Sequence, residues 1–255
     1  MDYLTAIILA AVEGLTEFLP VSSTGHIILA AILLNVPQTP FAKSFELALE
    51  FGSILAVVAL YWRLFLKIEV LKRLLVAFIP TGIVGLLIYR FFKDVLFGNQ
   101  QIVLWALLLG GIFIILFEWR YRERSDIDAI TKIPYKHCFL IGLFQVISVI
   151  PGVSRSAPTI MGGLALGMKR QTIVLFSFLL AVPTMVAASG FDLLNSYSQF
   201  SSGQVNILLV GFVTSFLVAL PAIKLFFDFI KRNNFIPFGI YRIVIVVLFF
   251  FLVIL

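Results

Sequence analysis

Charge is scarce in this 255-residue chain: Lys, Arg, Asp and Glu together make up 13% of it, where an ordinary soluble domain carries about 25%. That shortage excludes a soluble enzyme. One cysteine is present, Cys138, within an apolar stretch, so neither an internal disulfide nor a thiolate metal cluster can form. The alternating pattern of a membrane barrel is missing too, since runs such as Ile102–Phe117 and Val205–Phe227 are apolar on every side. Met1-Asp2-Tyr3 lacks the basic flank and small-residue cleavage site of a secretory signal, and the first apolar segment is expected to stay in the mature protein. What is abundant is hydrocarbon: 61% hydrophobic residues, 27 Phe and a mean hydropathy of +1.10. At ~20 apolar residues per crossing, this composition predicts an all-α, polytopic membrane protein forming a single integral membrane domain over 1–255. The net charge of +6 does not indicate nucleic acid, because most basic residues sit in short loops between apolar runs.

Apolar segments fall at about 3–19, 21–36, 45–61, 74–91, 102–118, 135–150, 157–167, 172–194, 205–227 and 235–255. Pro20 and Ser22-Ser23-Thr24-Gly25 interrupt the first pair, and Pro151-Gly152 with Ser154-Arg155-Ser156 interrupts the pair around 150. These breaks predict half-helices meeting near the membrane centre, leaving six transmembrane helices plus two re-entrant helix pairs. Basic residues orient the spans. Arg63, Lys67, Lys72 and Arg73 follow the third segment, Arg120, Arg122, Arg124, Lys132 and Lys136 the fifth, and Lys231 and Arg232 the ninth. Those loops, with Lys169-Arg170, are expected in the cytoplasm, and the uncharged stretch 195–204 on the opposite side. The first pair then enters from outside and the second from inside, with both chain ends outside.

An internal repeat of inverted topology is therefore expected, over about 1–118 and 135–255. Gly14-Leu15-Thr16-Glu17 … Pro20-Val21-Ser22-Ser23-Thr24 matches Gly142-Leu143-Phe144-Gln145 … Pro151-Gly152-Val153-Ser154-Arg155-Ser156 at an offset of about 128 residues. Phe45-Glu46-Leu47 and Phe176-Ser177-Phe178 open the first long span after each copy. Such repeats bring two broken helices together at the midplane, where helix amino termini face an anion.

Between Asp2 and Lys43 the only acidic or basic residues are Glu13 and Glu17, and between Lys136 and Lys169 the only one is Arg155. An ionised side chain at the bilayer centre costs ~2.5–3.5 kcal/mol even on the lenient insertion scale, so these three need partners or a wet cavity. A structural ion pair between the hairpins is one reading. The other is a phosphate site: Ser22, Ser23 and Thr24 open one broken helix, Ser154 and Ser156 flank Arg155 at the other, and Pro158 suits a first helical turn. Helix capping alone would also account for the hydroxyls. His26, three residues after Ser23, is either a general base or acid or a satisfied structural residue. Glu13 and Glu17, four apart on one helix face, would repel an anion unless a divalent cation, magnesium or calcium, or a shared proton intervened. Glu46 and Glu50 form a second such pair, approaching the site or lying at a solvated interface. Gly110-Gly111 and Gly162-Gly163 are expected at close helix contacts.

Glu13-Gly-Leu-Thr-Glu17-Phe-Leu-Pro-Val-Ser-Ser-Thr-Gly-His26 and Pro151-Gly-Val-Ser-Arg-Ser156 resemble the two signature motifs of the bacitracin-resistance type undecaprenyl-diphosphatases. Phe45-Glu46, Phe176–Pro183 and Phe235-Ile-Pro-Phe-Gly-Ile-Tyr-Arg242 resemble further segments of that family, so the likeness covers nearly the whole chain. The resemblance implies an integral membrane phosphatase that converts undecaprenyl diphosphate, an isoprenoid diphosphate lipid, to the monophosphate, expected as a multi-pass protein of a bacterial inner membrane whose site, by the loop charges, opens to the extracytoplasmic side. It would recycle the lipid carrier of cell-wall synthesis and confer bacitracin resistance. By the same resemblance Glu13 and Glu17 correspond to the family's acidic motif, Ser23 to its proposed nucleophile, His26 to its motif histidine and Arg155 to its phosphate-binding arginine. Glu13 and Glu17 are expected to hold the divalent cation, Ser22, Thr24, Ser154, Ser156 and Thr159 to line the substrate, and Glu17, Ser23, His26 and Arg155 to carry catalysis, with either His26 or a glutamate accepting the Ser23 proton or water activated directly by metal or carboxylate. Membrane lipid is the expected surrounding, and a homodimer remains open. The sequence departs from the family at Ser156-Ala157-Pro158-Thr159, at Glu50 and at Leu175. A lipid-phosphate flippase using the same midplane residues is the alternative, since inverted repeats with broken helices are a transporter architecture. A looser likeness to phosphohistidine lipid phosphatases fails because no histidine follows His137.

Overall fold

In the computed structural model, which describes residues 1–37, 39–95, 100–121, 126–196 and 202–251, ten α-helices carry the chain and no strand is formed among the described residues. They are α1 (Tyr3–Thr16), α2 (Ser23–Leu33), α3 (Pro40–Phe65), α4 (Ile68–Val95), α5 (Gln100–Arg120), α6 (Tyr135–Val146), α7 (Ser156–Ala165), α8 (Arg170–Ser196), α9 (Ser202–Ile230) and α10 (Ile236–Phe249). Among the described residues five helices are long and apolar enough to cross a membrane: α3, α4, α5, α8 and α9. The chain is thus a multi-pass membrane protein. The sixth expected span is helical over Ile236–Phe249, and residues beyond 251 lie outside the described ones, as do Arg122 and Arg124.

The long helices outrun the hydropathy segments because a helix keeps its hydrogen bonds after its side chains become polar. Lys72 and Arg73, expected in a loop, lie inside α4, and only Leu66 and Lys67 separate it from α3. The remaining four helices are short, at 14 and 11 residues for α1 and α2 and 12 and 10 for α6 and α7. At ~1.5 Å per residue these reach about 21, 16, 18 and 15 Å, against about 30 Å of hydrocarbon. None crosses alone.

Packing sets each short pair against long helices from elsewhere in the chain. The helix α1 lies against α9, and α6 lies against α4. Close approach is made with glycine: a Cβ on Gly14 would sit 2.7 Å from the Ser215 carbonyl oxygen of α9, and one on Gly142 would run into the Ala77 carbonyl of α4. Between them α3 packs on α8, and α5 on α10. The paired glycines predicted at helix contacts behave accordingly, Gly111 meeting the Gly239 carbonyl and Gly162 and Gly163 meeting Phe144 and Ile173. The largest buried cluster joins Phe18 of the α1–α2 turn to Phe176 and Phe178 of α8 and Phe226 of α9, with Phe18 and Phe178 edge to face at 5.4 Å. That contact holds the first turn against α8.

Candidate functional site

The helix α1 stops at Thr16, and Glu17 caps it, its N–H still donating to the Glu13 carbonyl. Pro20 cannot continue the ladder. The chain turns through residues 17–21, and Ser22 then takes a left-handed conformation (φ 71°), which for a residue with a Cβ costs roughly 1–2 kcal/mol. Hydrogen bonds hold it there: Ser22 Oγ accepts from Gly25 N at 3.3 Å, and its carbonyl accepts from His26 N at 3.1 Å and from His26 Nδ1 at 2.7 Å. The result aims Ser23, first residue of α2, back at the end of α1, where its hydroxyl donates to Glu17 Oε2 at 2.5 Å.

The second turn is built alike. Gly152 has φ 91°, and a Cβ there would fall 2.7 Å from the Val103 carbonyl of α5. Ser154 is left-handed at φ 75°. Arg155 follows it as Ser23 follows Ser22. Its guanidinium reaches the first hairpin, with Nη2 donating to Glu17 Oε1 at 3.1 Å and Nη1 to the Ser177 carbonyl of α8 at 2.9 Å. Ser156 Oγ donates to the Leu19 carbonyl at 3.0 Å and lies 3.1 Å from Ser154 Oγ. Glu17 is therefore shared by a hydroxyl from its own hairpin and a guanidinium from the other.

The junction is buried. The Glu17 and Arg155 side chains are 5% and 12% exposed, a setting in which removing one partner of an ion pair costs roughly 3–5 kcal/mol. Three buried atoms around it make no hydrogen bond, Glu13 Oε1, Arg155 Nε and Ser177 Oγ. Glu13 Oε1 can accept from a ligand and Arg155 Nε can donate to one. The other sequence-predicted residues divide. Thr159 is fully buried and its hydroxyl donates to the Arg155 carbonyl of its own helix, while Thr24 is exposed. The hydroxyls of Ser22 and Ser156 are used in holding the turns. Glu46 and Glu50 are half-buried on α3.

The family described as bacitracin resistance protein BacA matches residues 6–248. The chain belongs to the BacA family. It is also similar to proteins named undecaprenyl-diphosphatase: 49% identical over 251 residues to that of a Sulfurihydrogenibium species, covering 98% of this chain and 99% of the other. The counterpart in Persephonella marina is 52% identical, with 96% of each chain covered, and that in Methanococcus aeolicus 42%, with 98% and 99% covered.

In this BacA-family chain two more polar residues belong to the site's frame. Tyr241 of α10 places its hydroxyl 2.9 Å from His26 Nε2, its ring parallel to the imidazole at 5.4 Å between centroids. The neighbouring Arg242, fully buried, donates to the carbonyls of Gly152 at 2.5 Å and Val153 at 2.8 Å. Arg242 had a signal in the sequence: it is the single charge in the apolar run 236–255, the same criterion that marks Arg155. Away from the site, Glu118 of α5 takes both terminal nitrogens of Arg170 on α8 and accepts from Phe235 N at 3.1 Å, joining the end of α5 to the starts of α8 and α10. Glu118 ends its apolar run and reads as an interfacial charge until the partner is seen.

Proposed function

We propose that the chain hydrolyses undecaprenyl diphosphate to undecaprenyl phosphate and inorganic phosphate at the junction of its two turns, returning the lipid carrier to cell-wall synthesis and so conferring bacitracin resistance. The observation that carries this reading is the shared Glu17 carboxylate, which joins a nucleophile and a cation from opposite hairpins in a chain whose relatives bear that enzyme's name. Ser23 Oγ attacks the terminal phosphorus and passes its proton to Glu17. The bond from that phosphorus to the bridging oxygen breaks, and its electron pair leaves with the lipid monophosphate. Arg155, through its free Nε, neutralises the charge that shifts onto the leaving group, with the amino termini of α2 and α7 beside it. Glu17 hands that proton to the departing lipid monophosphate and, ionised again, takes one from the water that displaces phosphate from Ser23, returning it to Ser23 Oγ as the phosphoserine bond breaks.

Magnesium or calcium is the proposed cofactor, held by Glu13 and Glu17. The unpartnered Glu13 Oε1 supports the fit, and a carboxylate has about four lone-pair sites, so Glu17 retains capacity beyond its two donors. Among the described residues no group of three or more His, Cys, Asp or Glu could hold a metal ion, leaving further positions to water and diphosphate oxygens, the mixed set that magnesium favours. Bound there, the ion supplies Lewis-acid neutralisation of the diphosphate.

The architecture proposed with this chemistry has six spans, with α1–α2 and α6–α7 as re-entrant pairs in inverted repeats over about 1–118 and 135–255. Exchanging the halves maps the packing of α1 on α9 onto that of α6 on α4, and two left-handed serines onto each other, which supports it. Loop charges support chain ends outside, a site opening to the extracytoplasmic side and residence in a bacterial inner membrane; assembly as a homodimer belongs to the same reading. The test is inorganic phosphate release from undecaprenyl diphosphate by the purified protein, with and without EDTA. Release that chelator, Ser23→Ala and Arg155→Ala each abolish is the expected result. A folded protein that binds the lipid without releasing phosphate would instead make these residues a transporter's binding site.

A further inference from the structure

We propose that Tyr241 is a positioning residue for the Ser23 hydroxyl, acting through His26. The Ser22 carbonyl can only accept, so His26 Nδ1 carries the proton in its 2.7 Å bond. In the neutral ring Nε2 is then a bare acceptor, and the Tyr241 hydroxyl, 2.9 Å away, is its donor. Both imidazole nitrogens are thereby occupied. His26 is left as a strut between α10 and the left-handed Ser22, and Ser23 turns to Glu17 for its proton acceptor. The parallel stacking of the two rings fixes the plane in which Nδ1 meets the carbonyl. Without the tyrosine hydroxyl, Nε2 lies buried with no donor, the ring is released to exchange tautomers, and the Nδ1–H that holds the strained turn is lost for part of the time. The next residue does the same for the other hairpin, Arg242 holding the carbonyls on either side of the Gly152–Val153 bond just before left-handed Ser154. One turn of α10 thus sets both halves of the junction.

The kinetic part of the proposal rests on Ser23 as the nucleophile of the hydrolase reading, and the experiment separates the two. In phosphate release, Tyr241→Phe should lower kcat about tenfold with KM unchanged within about twofold, since an orienting group acts on the reaction rather than on headgroup binding. In a His26→Ala background the same substitution should add nothing, a coupling of roughly 1.4 kcal/mol at ~1.36 kcal/mol per decade. Wild-type kcat in Tyr241→Phe, a rise in KM alone, or full additivity with His26→Ala would each overturn the positioning role. Wild-type protein with no phosphate release would sink the hydrolase reading alone, because the hydrogen bond is also read without turnover. With two histidines in the chain, ring 15N spectra of detergent-solubilised protein contain His26 and His137, and His137→Asn leaves one set. A protonated Nδ1, with an Nε2 resonance that moves in Tyr241→Phe, supports the strut. A protonated Nε2 in the wild type overturns it.

Discussion

Replacing Glu17 by Gln exchanges one acceptor oxygen for a donor and leaves the side chain's shape unchanged. Ser23 Oγ donates to Oε2 at 2.5 Å and Arg155 Nη2 donates to Oε1 at 3.1 Å, so the carboxylate is used as an acceptor on both sides. An amide can satisfy one of these. Guanidinium has no lone pair, so the amide oxygen must face Arg155 and the NH2 must face Ser23, whose hydroxyl then accepts rather than donates. The serine proton loses its acceptor in the geometry from which attack starts. A general base contributes about 10²–10⁴ in rate, which at ~1.36 kcal/mol per decade is roughly 2.7–5.5 kcal/mol of barrier. The stability loss is of similar size, since the amide leaves the buried Arg155 guanidinium without its counter-ion, at a cost of roughly 3–5 kcal/mol. Glu17→Gln should therefore melt about 6–20 °C below wild type and, assayed below that temperature, show KM within about threefold of wild type and kcat down by at least about a hundredfold. The assay is phosphate release from undecaprenyl diphosphate, run beside Ser23→Ala and the double variant. If Glu17 serves Ser23, the double variant is no slower than Ser23→Ala alone. A folded Glu17→Gln protein within about fivefold of wild-type kcat would refute the assignment of Glu17 as proton acceptor.

Glu13→Gln should leave the Ser23–Glu17–Arg155 unit intact and raise the magnesium concentration for half-maximal activity at least about tenfold, the scale on which losing one ligand weakens a site; an unchanged magnesium titration would remove Glu13 from the ion. Gly110→Ala places a Cβ 2.6 Å from Arg242 Nη1 and 3.0 Å from its Cζ, displacing a guanidinium that holds the second turn. It should cost about 1–3 kcal/mol by overpacking and lower activity with it. Gly85→Ala on α4, where a Cβ meets nothing within 4 Å, should be neutral or stabilising by up to about 1 kcal/mol. Thermal unfolding and turnover of the two variants side by side check both, and equal behaviour would contradict the Arg242 contact.

Helix count and the two breaks were legible in the sequence because hydropathy and the Pro-Gly-Ser punctuation act locally. Helix ends were less so. Lys72 and Arg73 stand just before the apolar run at 74–91 yet lie inside a helix that starts at Ile68, since a membrane helix is bounded by where its backbone loses partners rather than by where its side chains meet water. Glu13, Glu17 and Arg155 stood out because each is a charge that lipid should expel, and the same argument reaches Arg242. It does not reach Tyr241, an amphipathic residue common at membrane interfaces, whose partner lies 215 positions away. Thr159 falls within the same motif-rich stretch as Arg155, and what the sequence does not show is that its hydroxyl donates to the Arg155 carbonyl four residues back.

A charged site assembled from two strained turns makes sense in terms of the groups those turns expose. A helix running unbroken through the bilayer has every amide in its interior bonded to its own carbonyls, leaving nothing at midplane to meet an anion. Breaking it frees amides, and a left-handed residue just before the new helix swings the next side chain back across the break. Ser22 and Ser154 do this in the two hairpins at φ 71° and 75°. The side chain after each serine differs, a hydroxyl at Ser23 and a guanidinium at Arg155, and the matching motif residues upstream differ with them, Glu17 in the first hairpin and neutral Gln145 in the second. Gln145 is spent on the fold, donating to Thr81 of α4 at 3.1 Å. The carboxylate is thus needed once, between the hydroxyl it would deprotonate and the guanidinium with which it is paired. Two acidic hairpins would repel a diphosphate, and two cationic ones would bind it with nothing to attack it.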